Sequence, residues 1–173
     1  MIEPRDYGSK GRKALNTYII PRFSGLFKNG DRILNIGRHL IWDYGLFFNN
    51  PKLMCYYQNL DSDVKNIGSG DIHGNIESCP VIEGGSYHGI MMIGVFEFID
   101  KHESAFEEIY RILKSDGKLL VAFPGIGTDY GSVTLTSWVD YLKKFRIDET
   151  YFYYDNDMDI SSVCVICTKR QEK

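Results

Sequence analysis

Residues Tyr87–Pro124 constrain the fold more than any other stretch, because they read as strand, helix and strand in direct succession. Ile90, Met91, Met92 and Ile93 form a nearly unbroken apolar run, the pattern of a parallel strand buried on both faces. Gly94 lets the chain leave that strand tightly. Phe106, Ile109, Tyr110 and Leu113, with Ile112 beside them, then recur at helical spacing, and Glu103, Glu107, Glu108, Arg111 and Lys114 cover the other face. Lys114-Ser115-Asp116-Gly117 supplies a cation for the last helical turn and a glycine, Gly117, able to go left-handed and end it. Lys118–Phe123 is a second apolar strand, stopped by Pro124-Gly125. This is one βαβ unit, and its crossover is expected to be right-handed.

The remaining 135 or so positions must fit around that unit, and a chain of 173 residues suffices for one domain with one substantial core. We expect a single domain over 1–173, with 1–29 as a basic lead-in and 30–169 as the core. A hydrophobic content of 43% against 25% charged residues is an ordinary globular balance. The net charge of −3 and pI near 5.8 argue against a mainly electrostatic nucleic-acid binder. The apolar run near Gly89–Ile99 is too short to cross a bilayer, and no basic-then-apolar leader opens the chain. Cys55, Cys79, Cys164 and Cys167 read as reduced thiols of a cytoplasmic protein.

Around the central unit the pattern continues in kind. Lys10–Tyr18 suits a short helix that Pro21 ends or bends. Asn29-Gly30-Asp31 is a turn signal and Arg32–Ile36 a short apolar strand, followed at once by Gly37, where a doubly wound sheet places its cofactor loop. Lys52–Leu60 reads as the second strand. It ends at Asp61, an acid about 20 residues beyond that glycine, where a carboxylate can accept from both ribose hydroxyls. Asp63 would serve after a small register change. Gly125–Thr134 has the glycine-rich, polar composition of a mobile lip. Leu135, Trp138, Val139, Leu142 and Phe145 fall at helical spacing, and Arg146–Tyr154 and Ser161–Thr168 read as two strands pairing antiparallel over Asp155–Ile160.

Val95-Phe96-Glu97-Phe98-Ile99, followed by Glu108-Ile109-Tyr110-Arg111-Ile112-Leu113-Lys114-Ser115-Asp116-Gly117, resembles the fourth strand and following helix of class I S-adenosylmethionine-dependent methyltransferases. In that family the helix commonly ends in an arginine, two apolar residues, a lysine and a Pro-Gly-Gly turn; Ser115-Asp116-Gly117 replaces that turn here. The resemblance covers roughly Gly30–Lys169. It implies an α/β fold of three layers, a doubly wound, mostly parallel sheet of seven strands: five parallel strands and a C-terminal antiparallel hairpin. It also implies S-adenosyl-L-methionine as cofactor and methyl transfer to a small-molecule or partner-presented acceptor, an anionic one suiting the basic lead-in. The cofactor residues implied are Asn35, Gly37 and Arg38 after the first strand, Asp61 on the ribose, Asp71 on the adenine amino group with Ile72 against the ring, and Gly94 and Val95 after the fourth strand.

The family's first motif is an acid, an apolar residue and Gly-x-Gly-x-Gly. Here Asn35 stands for the acid, Gly37 is the first glycine, and His39 and Ile41 occupy the other two positions. Either the loop Gly37–Gly45 is remodelled and still cradles a nucleoside, or His39 and Ile41 fill its space. The second case leads to an alternative function, a catalytically inactive methyltransferase-like fold serving as an interaction or regulatory module.

Other motifs carry less. Methyl transfer is an in-line displacement helped mainly by proximity and orientation, so no metal is needed and no catalytic residue is assigned, although Glu97 and His102 lie near the expected pocket. Cys164-Val165-Ile166-Cys167 has CxxC spacing, but residues three apart on a strand face opposite ways. Asp155-x-Asp157-x-Asp159 begins like a calcium loop, yet Ile160 replaces the required glycine. Gly68-Ser69-Gly70 lacks the lysine of a phosphate loop, and no GxGxxG supports a nicotinamide cofactor.

Overall fold

In chain order the elements are a π-helical turn Leu15–Ile19, helix α1 (Ile20–Ser24), strand β1 (Arg32–Ile36), a 3-10 turn Tyr44–Phe47, a small hairpin of Asn49–Asn50 with Leu53–Met54, and strands β2 (Tyr56–Asp61), β3 (Ile72–His73) and β4 (Tyr87–Met92). Helix α2 (His102–Ile112), β5 (Leu113–Pro124), α3 (Ser137–Tyr141), β6 (Phe145–Asp155) and β7 (Ile160–Lys169) follow. This computed structural model describes residues 14–37, 44–124, 137–155 and 160–171. The N-terminal residues 1–13, the positions His39, Ile41 and Trp42, the Gly125–Thr134 segment and the hairpin tip at 156–159 lie outside the described residues.

All seven labelled strands join one sheet in the order β3-β2-β1-β4-β5-β7-β6. The first five are parallel neighbours, and β7 pairs antiparallel with both β5 and β6. Strand alternation divides the core in two. Leu34, Ile36, Ile90, Met92, Leu119, Val121, Val165 and Cys167 face a layer closed by α2 through Phe106, Ile109 and Ile112. Ile33, Met91, Leu120, Cys164 and Ile166 face the opposite layer, closed by Leu15, Ile19, Ile20 and Phe23. The helical faces bury these stripes because each apolar face of a sheet must be packed against another layer. Cys164 and Cys167 therefore sit on opposite faces, both fully buried, and burial pushes the Cys167 thiol well above its ordinary range. The expected doubly wound sheet with a terminal antiparallel hairpin is the fold observed.

Several boundaries differ from the sequence expectation. Residues Leu53–Met54 do not extend β2; they form the small hairpin, because β1 begins only at Arg32, opposite Tyr56. Ahead of Tyr56 there is no β1 residue to pair with, and Met54 O instead accepts from Gly30 N–H (2.8 Å) while its own N–H donates to Asn29 Oδ1 (3.0 Å). Pro21 does not end the first helical segment but lies in the first turn of α1. The preceding π turn, with Ile20 N–H donating to Leu15 O, widens the backbone ahead of a residue that cannot donate. Helix α2 stops at Ile112, two residues early, and its last carbonyls accept from the linker: Gly85 N–H to Arg111 O and Ser86 N–H to Ile112 O, both 2.9 Å.

The left-handed residue after α2 is Asp116 (φ 61°), not Gly117. Asp tolerates that conformation through its short polar side chain. Gly117 is needed for space instead, since a Cβ there would lie 2.8 Å from the Lys114 carbonyl oxygen. On β6 the register jumps between Ile147 and Glu149. The skipped Asp148 turns to Arg146 Nε (2.8 Å) and to the Thr168 hydroxyl, beside Lys118 Nζ (3.6 Å). At the sheet's far edge, α1 is tied to β6 by Arg22, which donates to Glu149 through Nε (3.2 Å) and a terminal nitrogen (2.5 Å).

His88, on β4, gives the fold a pH dependence. Its Nδ1 accepts from Arg32 N–H at 2.9 Å, a bond only an unprotonated nitrogen can make, and its Nε2 faces Asp31 at 3.4 Å. Burial lowers its pKa below the ordinary 6.5 and outweighs the opposing effect of Asp31, with Lys114, Lys28 and Arg32 adding to the lowering. Because the folded value is the lower one, the unfolded chain binds more protons as pH falls through this range, so the stabilisation is full above 6.5 and is lost as pH falls toward the folded pKa. Thermal midpoints measured from about pH 7.5 to 5 should fall, and His88→Asn should flatten that slope. Equal slopes in both proteins would assign the acid sensitivity elsewhere.

Candidate active site

A cleft of about 380 Å³ opens at the carboxyl ends of β1, β2, β3 and β4. The topology puts it there. From β1 the chain goes to β2 on one side, while β4 pairs on β1's other side, so the loops leaving β1 and β4 part and leave a crevice. Each strand contributes its terminal residues: Ile36 and Gly37 from β1, Leu60, Asp61 and Ser62 from β2, Gly74, Asn75 and Ile76 from β3, and Ile93, Gly94 and Val95 from β4. Tyr44, Asn66, Phe98 and Ile99 complete the wall.

Two glycines are required by backbone geometry. Gly37 has φ 78° and donates its N–H to Leu60 O (2.8 Å); a Cβ on it would lie 2.3 Å from Val95 Cγ2. The turn after β1 and the turn after β4 thus pack against each other with no room for a side chain. Gly94 has φ 65° with open space where a Cβ would be, so its constraint is conformational alone.

Of the residues expected to hold a cofactor, Gly37, Asp61, Gly94 and Val95 line the cleft. Asp61 is held by Asp63 N–H on Oδ1 (2.8 Å) and Asn66 Nδ2 on Oδ2 (3.3 Å). Each carboxylate oxygen can accept more than one hydrogen bond. Asp63 is used differently, capping the 3-10 turn Val64–Asn66 through Lys65 N–H (3.0 Å).

Asn35, Asp71 and Ile72 are not cleft-lining residues, and Arg38 lies outside the described residues. Asn35 is 2% exposed; its Nδ2 donates to Gly37 O (2.8 Å) and Asn59 Oδ1 (3.0 Å), and its Oδ1 is buried with no hydrogen-bond partner among the described residues. Asp71 precedes β3 instead of following it, and its carboxylate accepts from Asn59 N–H and Nδ2 (both 3.0 Å) and from Gly68 N–H (2.8 Å). Ile72 packs against the core at the start of β3. The polar-then-apolar pair that does follow β3 is Asn75-Ile76, and both residues line the cleft. β3 is only two residues long, too short to show as a period-2 pattern, which hid the register. The available signal was the repeated order Asp71-Ile72 and Asn75-Ile76.

Neither Glu97 nor His102 lines the cleft. The His102 ring stacks on Phe96 with centroids 4.0 Å apart, and its Nε2 lies 3.0 Å from Phe96 O. Phe98 was not singled out from sequence, yet it lines the cleft while 78% exposed. Among the described residues no group of three or more His, Cys, Asp or Glu side chains is placed to hold a metal, and no helix is long and apolar enough to cross a membrane.

A family model described as a methyltransferase domain matches residues 54–121, from the hairpin before β2 through most of β5. No curated protein sequence matches the chain. Among solved structures, the complex of the Haloferax volcanii Trm112 methyltransferase activator with a methyltransferase superposes with a TM-score of 0.75 at 13% identity, covering 98% of this chain and 94% of that one. The YcgJ protein of Bacillus subtilis gives 0.71 at 12% identity, covering 93% of this chain and 100% of that one. Phosphoethanolamine N-methyltransferase 2 of Haemonchus contortus, solved with phosphomonomethylethanolamine and S-adenosylhomocysteine, gives 0.70 at 15% identity over 90% of this chain; the chain spans about half, 52%, of that protein's length. At these identities the superpositions speak for the fold, and the domain match agrees with them in the stretch from β2 to β5. The chain has the class I, Rossmann-like fold of methyltransferases, and its residues 54–121 match a methyltransferase-domain model.

Proposed function

We propose that the chain binds S-adenosyl-L-methionine in the cleft at the ends of β1, β2, β3 and β4 and transfers its methyl group to a small-molecule or partner-presented acceptor. The observation that carries this reading is the cleft itself, which opens at the switch point of the sheet with a braced carboxylate, Asp61, at the end of β2. Its volume is in the range of small-ligand sites. The residues present fit a nucleoside cofactor. Asp61 can accept from vicinal ribose hydroxyls, Asn75 can meet the polar edge of a base, and Ile76, Ile99 and Phe98 offer apolar surface for its face. Gly94 brings bare backbone to the wall.

Bound there, the cofactor supplies an electrophilic methyl group on a sulfonium centre. The chain's own contribution is to hold the reactants in line and to keep water out. We read residues 1–173 as one domain of a cytoplasmic protein, with the basic segment 1–29 serving as a cap and favouring an anionic acceptor. The phosphorylated small molecule in the Haemonchus structure supports a small acceptor.

Calorimetric titration with S-adenosylhomocysteine, with NAD as control, tests the reading. Micromolar binding of the former alone is expected. Asp61→Ala should weaken it by about 1–3 kcal/mol, and an unchanged dissociation constant in a folded variant would remove Asp61 from the site. No binding by the folded wild type would favour the non-catalytic module.

A further inference from the structure

We propose that Asp71 is a positioning residue for the loop that follows β1, acting on the Gly37 carbonyl through Asn59 and Asn35 from outside the cleft. The proposal takes its functional meaning from the cofactor reading above. Four bonds make the connection. Asp71 Oδ1 accepts from the Asn59 side-chain amide (3.0 Å) and from the Asn59 backbone N–H (3.0 Å). Asn59 Oδ1 then accepts from Asn35 Nδ2 (3.0 Å), and the same nitrogen donates to Gly37 O (2.8 Å). Asn35 and Asn59 are direct neighbours in the parallel register of β1 and β2, so the link crosses the sheet within one pair of strands.

The chemistry of the link gives it a direction. An acceptor oxygen at the Asp71 end holds both Asn59 N–H groups and so fixes which way the Asn59 amide turns, leaving its carbonyl toward Asn35. Asn35 is 2% exposed and has one amide nitrogen for two acceptors. Among the described residues its own Oδ1 has no hydrogen-bond partner, so there the amide's orientation is set by those two bonds. If Asn59 were free to turn its amide, Asn35 would have a competing orientation and Gly37 O would lose its donor. Gly37 is the point at which the backbone enters the cleft wall against Val95, where displacement has no space to be absorbed. A residue remote from the ligand therefore sets the geometry of one that lines the site. An apolar residue at Asn35 would remove this donor to the Gly37 carbonyl, and one at Asn59 would remove the acceptor that holds the Asn35 amide in place.

Two variants separate this role from general support of the fold. Asp71→Asn keeps an oxygen for the two Asn59 donors but loses the acceptor for Gly68 N–H, whereas Asp71→Ala loses both. Calorimetry with S-adenosylhomocysteine should show about tenfold weaker binding for Asp71→Ala and near wild-type binding for Asp71→Asn. Asp71→Ala combined with Asn35→Ala should bind no more weakly than Asn35→Ala alone, since both cut one chain. Additive losses, or Asp71→Asn as damaging as Asp71→Ala, would overturn the proposal in favour of a local role at the Gly68 turn. Hydrogen exchange of the Gly37 amide, which donates to Leu60 O (2.8 Å), needs no ligand. It should speed up about tenfold in Asp71→Ala and little in Asp71→Asn; unchanged exchange would also overturn the proposal. Failure of the wild type to bind S-adenosylhomocysteine would remove the cofactor reading, and the exchange result would then decide the link by itself. Asn59→Ala breaks the same chain at its middle and replaces Asp71→Ala should that variant not fold.

Discussion

Gly37→Ala is expected to destabilise the protein by roughly 2–5 kcal/mol and to abolish measurable S-adenosylhomocysteine binding. Two independent costs add at this position. Holding alanine at φ 78° costs about 1–2 kcal/mol. Driving a Cβ to 2.3 Å from Val95 Cγ2 forces a shift that costs about 1–3 kcal/mol more. The two are separable. Val95→Ala removes the clashing methyl, so in the Gly37→Ala background it should restore part of the lost stability, whereas in the wild type it should only destabilise. Denaturant midpoints of the four proteins in this cycle measure the coupling. Strict additivity would show that the turns after β1 and β4 are not in contact, and the account of the cleft's rear wall would have to be withdrawn.

Phe96→Ala is the second large effect, expected at about 3–5 kcal/mol. Phe96 is 2% exposed and is the hub of an aromatic cluster beneath the cleft: its ring lies 4.0 Å from His102, 5.1 Å from Phe123, 5.8 Å from Tyr141 and 6.5 Å from Phe106. These contacts fasten the turn after β4 to α2, β5 and α3 at once. Truncation leaves a cavity that three separate elements would have to move to fill. It should also loosen Val95 and Phe98, its neighbours in the cleft wall, so ligand affinity should fall alongside the unfolding midpoint. Phe96→Leu, which refills most of the volume, should recover more than half of the stability. A loss under about 1 kcal/mol for Phe96→Ala would mean that the cluster is not packed as described.

These two positions also mark where reading the chain as a sequence succeeds. Gly37 was legible because a glycine directly after a short apolar strand has few reasons to be there other than a tight turn. The strands β1, β4, β5, β6 and β7 and the helix α2 were legible for a related reason. Each buries a continuous apolar face, and that burial imposes a period of 2 or 3.6 that the residues cannot hide. The βαβ unit at its centre then fixed the parallel sheet, and the two alternating segments at the end fixed the antiparallel hairpin.

What was not legible had no periodicity to betray it. β3 comprises only Ile72 and His73, so its position relative to Asp71 could not be read, and the residue matched to the adenine side fell on the wrong end of the strand. The termination of α2 depended on Gly85 and Ser86, which reach its last carbonyls from a linker 26 residues upstream of Arg111 and Ile112. Asp61 and Asp71 make the same point together. As letters they are two acids in polar turns; in space one is braced at the cleft and the other is bound to Asn59 and Gly68. Local pattern determined which segments are strands and helices and in what order they must layer, because burying apolar surface is a requirement each segment meets with its own residues. Only the tertiary structure decided which polar groups face the cleft and which are consumed holding it open, because a hydrogen bond belongs to whichever partner the register of distant strands brings within about 3 Å.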